Sequence, residues 1–170
     1  MDSFLEYLMI KKNSKSDIFL KVGIVILAVI LSLLIFVLFV SVAFLRTYAF
    51  LAVLFVGYGA YVLLSRMSIE FEYIFTNGDL DIDIIRGRKS RKRLTSLKCK
   101  NIKNMEKVAS TTLKPKTGCK MINAVYNPEL GEIYKIEATD KHERDVYILF
   151  QPTENLVSEM KKFNPFNIKA

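Results

Sequence analysis

From Val22 to Leu45 the chain reads VGIVILAVILSLLIFVLFVSVAFL, 24 residues without a charge. Wound as an α-helix rising ~1.5 Å per residue, that run is about 36 Å long, enough to cross a hydrocarbon layer of ~30 Å. It predicts a membrane span. After Arg46 and Thr47, the segment from Tyr48 to Leu64 adds 17 uncharged residues, YAFLAVLFVGYGAYVLL, near the lower limit for a second span. With two residues between the runs, the spans must form a tight antiparallel hairpin. Ser41-Val42-Ala43 has the small residues of a signal-peptidase site, behind Lys11, Lys12, Lys15 and Lys21. The apolar run before it exceeds the 7–15 residues of a secretory signal, so the segment reads as retained. The chain divides into a cytoplasmic N-terminal segment, 1–21, a transmembrane hairpin, 22–65, with spans at 22–45 and 48–64, and a cytoplasmic domain, 66–170.

Basic residues set the expected orientation. Four lysines precede the first span, Arg46 lies in the turn, and Arg66 with a longer basic stretch follows the second. The positive-inside rule then predicts a multi-pass protein of the cell membrane with both termini in the cytoplasm. Cys99 and Cys119 would face a reducing compartment, and neither belongs to a CxxC pair. With His142 as the single imidazole, neither a disulfide framework nor a zinc site is expected, and no cofactor is implied.

Before the membrane, Ser3 and Glu6 have the spacing of a capping box, and Phe4, Leu5, Leu8 and Met9 can share one helical side. A short amphipathic helix is predicted there. Beyond Met67 the period changes to two. Ile69, Phe71, Tyr73 and Phe75 fall on one face and Glu70 and Glu72 on the other, followed by Asn77-Gly78, a strong type I′ hairpin signal. That turn places Phe75 opposite Leu80, Tyr73 opposite Ile82 and Phe71 opposite Ile84, so apolar meets apolar. Further strands are predicted at 91–97, 102–108, 119–126, 132–139 and 144–150, separated by TTLKPKTG, NPELG and DKHE, for a total of seven. Leu156, Val157, Met160 and Phe163 then mark an amphipathic helix over 154–163, with Thr153 as N-cap and Pro165 beyond its end.

From Arg86 to Lys107 there are ten Lys or Arg residues against one acid, Glu106. The Asn77-Gly78 register sets Glu72 opposite Asp83, a repulsive pair needing a cation. If Leu94 lies beside Ile82, Arg93 falls beside Asp83, giving a structural charge cluster of Glu72, Asp83 and Arg93. The same accounting leaves Arg86, Arg88, Lys89 and Lys92 unpaired, as candidates for contact with anionic lipid or a partner. Nucleic acid is a poor fit, because no aromatic residue interleaves the run to stack a base. The carboxylates Glu70, Glu72, Asp81 and Asp83 could in principle hold a divalent ion, but simple strand alternation accounts for them.

Catalysis is not expected: the sequence has no nucleophile elbow, no phosphate-cradling glycine loop and no HExxH, and His142 lies in a hairpin turn. VGYG, Val56 to Gly59, matches a potassium-filter core, yet only AYVLL follows it before Ser65 and Arg66. The small residues Ala49, Ala52, Gly57, Gly59 and Ala60 instead suggest close helix packing.

A membrane hairpin, seven short strands and one C-terminal helix resemble the bacterial pleckstrin-homology-like (PH-like) membrane proteins. IEFEYIFTNGDLDID followed by the basic RKSRKRL is similar to an uncharacterised family of small two-span Gram-positive bacterial proteins, over about Asp17 to Phe163. The resemblance implies a membrane α-helical hairpin joined to a mainly-β (α+β) domain, a PH-like seven-stranded barrel with one C-terminal helix. It brings no catalytic motif, and such barrels host unrelated roles. The expected function is a non-enzymatic interaction module that binds a membrane-protein partner, with membrane lipids at its basic tip. The alternatives are an anionic-lipid sensor and an accessory subunit of a membrane enzyme or transporter. Nothing in the sequence fixes the oligomeric state.

Overall fold

A computed structural model describes residues 3–108, 119–129 and 131–169. The element order is β1 (Phe4–Ile10), α1 (Lys15–Ser41), α2 (Ala49–Arg66), β2 (Ile69–Thr76), β3 (Asp79–Arg86), β4 (Ser90–Lys98), β5 (Ile102–Val108), β6 (Lys120–Ala124), β7 (Ile133–Thr139), β8 (Asp145–Phe150) and α3 (Glu154–Phe163). The chain forms two compact units, one of Met1–Lys12 with Ile69–Ala170 and one of Asn13–Ser68. The β unit is therefore discontinuous, and the helices are an insertion between its first two strands. The expected TTLKPKTG turn lies outside the described residues.

The β unit contains two four-stranded sheets, ordered β1-β2-β3-β4 and β5-β7-β8-β6. Their inner faces supply one core, in which Tyr73, Phe75, Leu80, Ile82, Ile136, Ile148 and Phe150 have no exposed surface. The β2–β3 register pairs Phe75 with Leu80, Tyr73 with Ile82 and Phe71 with Ile84, as the Asn77-Gly78 turn dictates. Helix α3 closes the core with Leu156, Val157 and Met160, and its N-cap Thr153 accepts from the Leu156 N–H. Gly78 has φ +89°, and a Cβ there would come within 2.7 Å of the Phe163 ring, so the turn requires glycine twice over. Tyr73 ties the sheets together by donating to the Ala124 carbonyl at 2.5 Å. Burial pushes its phenol well above the usual range, keeping the donor proton in place. Burial likewise pushes the Cys99 thiol up to about 12, with Asp79 adding to the shift, so this cysteine is inert core.

Two expectations are corrected. The segment from Ser3 is a strand rather than a short helix: β1 pairs antiparallel with β2 from Phe4↔Thr76 to Ile10↔Glu70. Its side chains alternate, with Leu5, Tyr7 and Met9 packed on the core and Phe4, Glu6, Leu8 and Ile10 exposed. The period of two outweighs the capping signal because β2 offers a hydrogen-bonding edge that an isolated helix of this length cannot match. The strands among the described residues consequently number eight rather than seven, and the β unit includes the N-terminal segment instead of beginning at residue 66. The second sheet also contains a parallel pair, β6 with β8.

In the helical unit, the Ser14 N–H donates to the Asp17 carboxylate at 3.0 Å at the start of α1. A short 3₁₀ turn, Arg46–Tyr48, joins α1 to α2. Both helices are long and apolar enough to cross a membrane, and almost none of their residues is buried. The packing role expected of the glycines is not seen: a Cβ on Gly57 or Gly59 would meet nothing within 4 Å.

Candidate functional site

The register of the first sheet gathers the basic residues at one end. Lys11 N–H donates to Ile69 O at 2.9 Å. In the last row of the sheet Ile10 faces Glu70, Glu70 faces Ile85, and Ile85 faces Arg91. The β3–β4 turn, Gly87-Arg88-Lys89, thus projects from the end of the sheet at which the chain leaves after Lys12 and returns at Ile69. Gly87 and Arg88 are both left-handed, at φ 59° and 57°. For Arg88 that conformation is unfavourable, and its Nε lies 3.1 Å from Glu70 Oε1.

Behind the turn lies a buried carboxylate face. Glu70, Glu72 and Asp83 are 5%, 4% and 2% exposed although they sit on the outer side of the strands. Unpaired buried carboxylates cost several kcal/mol each, and three arginines meet them. Arg91 pairs with Glu72 and approaches Asp83 at 3.4 Å, bridging the two acids that face each other. Arg93 donates through Nε to Asp83 Oδ1 at 2.6 Å and through Nη1 to Asp81 Oδ2 at 2.5 Å. The hydrogen bond to Asp83 is the largest cause raising the guanidinium above its usual range. Arg88 covers Glu70.

Arg93 reaches Asp83 by a route that strict alternation does not describe. Thr95, not Leu94, faces Ile82, and the register shifts between Ile82 and Asp83, so Leu94 is the extra residue of a β-bulge. Without that bulge, Leu94 would face Asp83.

Of the four residues expected to be unpaired, Arg88 is corrected: it is committed to Glu70. Arg86, Lys89 and Lys92 are exposed and form no ion pair among the described residues. Arg91 was missed, although its place two residues before Arg93 puts it on the same strand face and could have flagged it. Elsewhere in the β unit, a cleft of about 130 Å³ is lined by Lys103, Cys119, Glu137, Asp145 and Tyr147. Its Lys103–Asp145 pair at 2.6 Å occupies the polar lining, and the space is smaller than the roughly 300 Å³ at which small-molecule pockets begin. Arg86 at the end of β3, Lys89 in the turn and Lys92 in β4 are thus exposed cations beside the arginine–carboxylate network.

Comparison with curated proteins and with solved structures gives no match. A family model described as a bacterial PH-like domain matches residues 1–170, the inserted helices included. With its two sheets, closing helix and full-length match, the chain belongs to the bacterial PH-like domain (DUF6106) family.

Proposed function

We propose that this chain is a non-enzymatic two-span membrane protein whose PH-like domain lies in the cytoplasm and binds a membrane-protein partner. Arg86, Lys89 and Lys92 rest against anionic headgroups in this reading. The observation that carries it is the insertion of α1 and α2 between two hydrogen-bonded strands. β1 and β2 are held together by Lys11 N–H to Ile69 O, which supports exit and re-entry on the same side of a bilayer and hence an even number of crossings. The shorter apolar helix therefore crosses if the longer one does, with both ends of the chain on the side favoured by the surrounding Lys and Arg.

The exposed turn also favours a second reading, in which anionic lipid is the ligand itself. Each free Lys or Arg near such a surface contributes about 1 kcal/mol, and around this turn Arg86, Lys89 and Lys92 are the three without an ion pair among the described residues. That supports an auxiliary role for lipid beside a protein partner. A role as accessory subunit of a membrane enzyme or transporter is one form the partner reading can take. The test reverses Arg86, Lys89 and Lys92 to Glu in the full chain. Capture of a protein partner from solubilised membranes should persist, while binding of the reconstituted domain face to anionic vesicles falls. Loss of vesicle binding with no partner captured from either form would overturn the first reading in favour of the second.

A further inference from the structure

Strand β1 is the outer strand of the first sheet, and half of its backbone hydrogen-bonding groups point away from that sheet. The parity is fixed at both ends, where Asn77 N–H donates to Ser3 O at 3.0 Å and Lys11 N–H to Ile69 O at 2.9 Å. Odd-numbered residues therefore bond to β2, and the backbone groups of Phe4, Glu6, Leu8 and Ile10 face the open edge. Among the described residues, no backbone hydrogen bond closes that edge until Lys12 N–H reaches Tyr126 O at 2.8 Å. Edge strands are ordinarily blunted by lysines, proline or a bulge. FLEYLMI has none of these, its register with β2 is unbroken, and Glu6 is its one charge. Phe4, Leu8 and Ile10 are 62%, 53% and 60% exposed.

We propose that β1 pairs antiparallel with β1 of a second copy of this chain, about a two-fold axis at Tyr7, joining the two first sheets into one. The proposal rests on the partner-binding reading and names the partner as the same protein. The sequence of the strand selects the register. With Tyr7 on the axis, Phe4 faces Ile10, Glu6 faces Leu8 and Leu5 faces Met9, all seven residues overlap, and about eight backbone hydrogen bonds form. Moving the axis to Glu6 sets the two Glu6 carboxylates opposite each other. Moving it to Leu8 sets Phe4 against Lys12, whose N–H is already bonded to Tyr126.

The contact is isologous and closes at two.

The experiment uses the full-length chain in membranes, carrying Cys119→Ser, with Tyr7→Cys, Glu6→Cys or Leu8→Cys introduced singly and mild oxidant added. On the axis, the two Cα atoms of a non-hydrogen-bonded pair are about 4.5 Å apart, within disulfide reach. Tyr7→Cys should yield a species of twice the 19.5 kDa chain, and that species should be lost in Glu6→Cys and Leu8→Cys. A dimer strongest at either neighbour, or monomer at all three positions, would overturn the pairing. An adduct with a different protein would also overturn it while leaving the partner-binding reading intact.

A charge exchange in the Tyr7→Cys background removes dependence on the fold of any one variant. Phe4→Lys with Ile10→Lys should abolish the dimer, and Phe4→Glu with Ile10→Lys should keep it. Residues 4 and 10 of one strand are about 20 Å apart, beyond the ~8 Å screening length, so only a second copy can bring those charges together. Equal cross-linking in the two charged variants would refute the proposal.

Discussion

Leu80 and Leu34 are the same residue in opposite circumstances: the first has no exposed surface in the β unit, and the second is 64% exposed in the helical one. The contrast extends through both units. Phe75, Ile82 and Phe150 are fully enclosed by their own chain, whereas Phe19, Phe50 and Phe55 are 79%, 72% and 71% exposed. What separates the units is the arrangement of apolar residues rather than their kind. Alternation turns an apolar face of the strands inward, so the β unit can enclose its own core, with β8 buried on both faces from Val146 to Phe150. The uncharged run of α1 has no charged face, and none of the described residues of that helix is buried. Charge follows the same division. The β unit places Glu70, Glu72 and Asp83 out of water under arginines, whereas Val22 to Leu45 contains no charge.

The contrast can be broken from either side. Phe150→Ala removes a fully buried ring that contacts Tyr73 and Tyr134 edge-on and should cost the β unit about 3–5 kcal/mol. Denaturant unfolding checks this, and a change below the range for surface residues would mean that the core is not closed. Leu34→Arg should leave the β unit intact but oppose membrane insertion by about 2.5–3.5 kcal/mol. The measurement is the share of chain in the membrane fraction. Wild-type recovery would indicate that α1 faces water.

The smallest effect sharpens the electrostatic half of the contrast. Burial would raise the Asp140 carboxyl, but donors from the Arg144 side chain and from the backbone N–H groups of Arg144 and His142 outweigh it and hold the group at about 2. This lies below the roughly 3.9 of an unfolded aspartate. Its stabilisation is therefore complete above that ordinary value and is lost as pH falls through about 2. Asp140→Asn should lower Tm modestly at neutral pH, and the gap from wild type should close toward pH 2. A gap independent of pH would contradict the assignment.

Much of this fold is legible locally. Asn77-Gly78 sets a register because its partners are adjacent in sequence, and Thr153 starts α3 because an N-cap acts over three residues. β1 is not legible in that way. Leu5, Leu8 and Met9 satisfy a helical spacing while Leu5, Tyr7 and Met9 satisfy a strand, and the strand to which β1 binds lies beyond two long helices. The candidate site was partly legible for a related reason. Alternation puts Arg93 beside Asp83 by setting Leu94 opposite Ile82, but Thr95 holds that place and the bulge at Leu94 is what brings Arg93 to Asp83. The commitment of Arg88 to Glu70 depends on a left-handed turn that its own sequence disfavours.

The insertion of the helices has a consequence for biosynthesis. Ile10 and Glu70 lie opposite each other though 60 residues apart, and β1 leaves the ribosome long before β2 exists. Closing so long a loop directly is entropically costly. Once α1 and α2 have packed as a hairpin, its two ends are neighbours, and β1 and β2 meet across a few residues instead. Packing of the helices therefore lowers the entropic cost of completing the first sheet. A chain whose second helix has gone astray carries β1 and β2 apart and leaves Leu5, Tyr7 and Met9 without the core on which they pack.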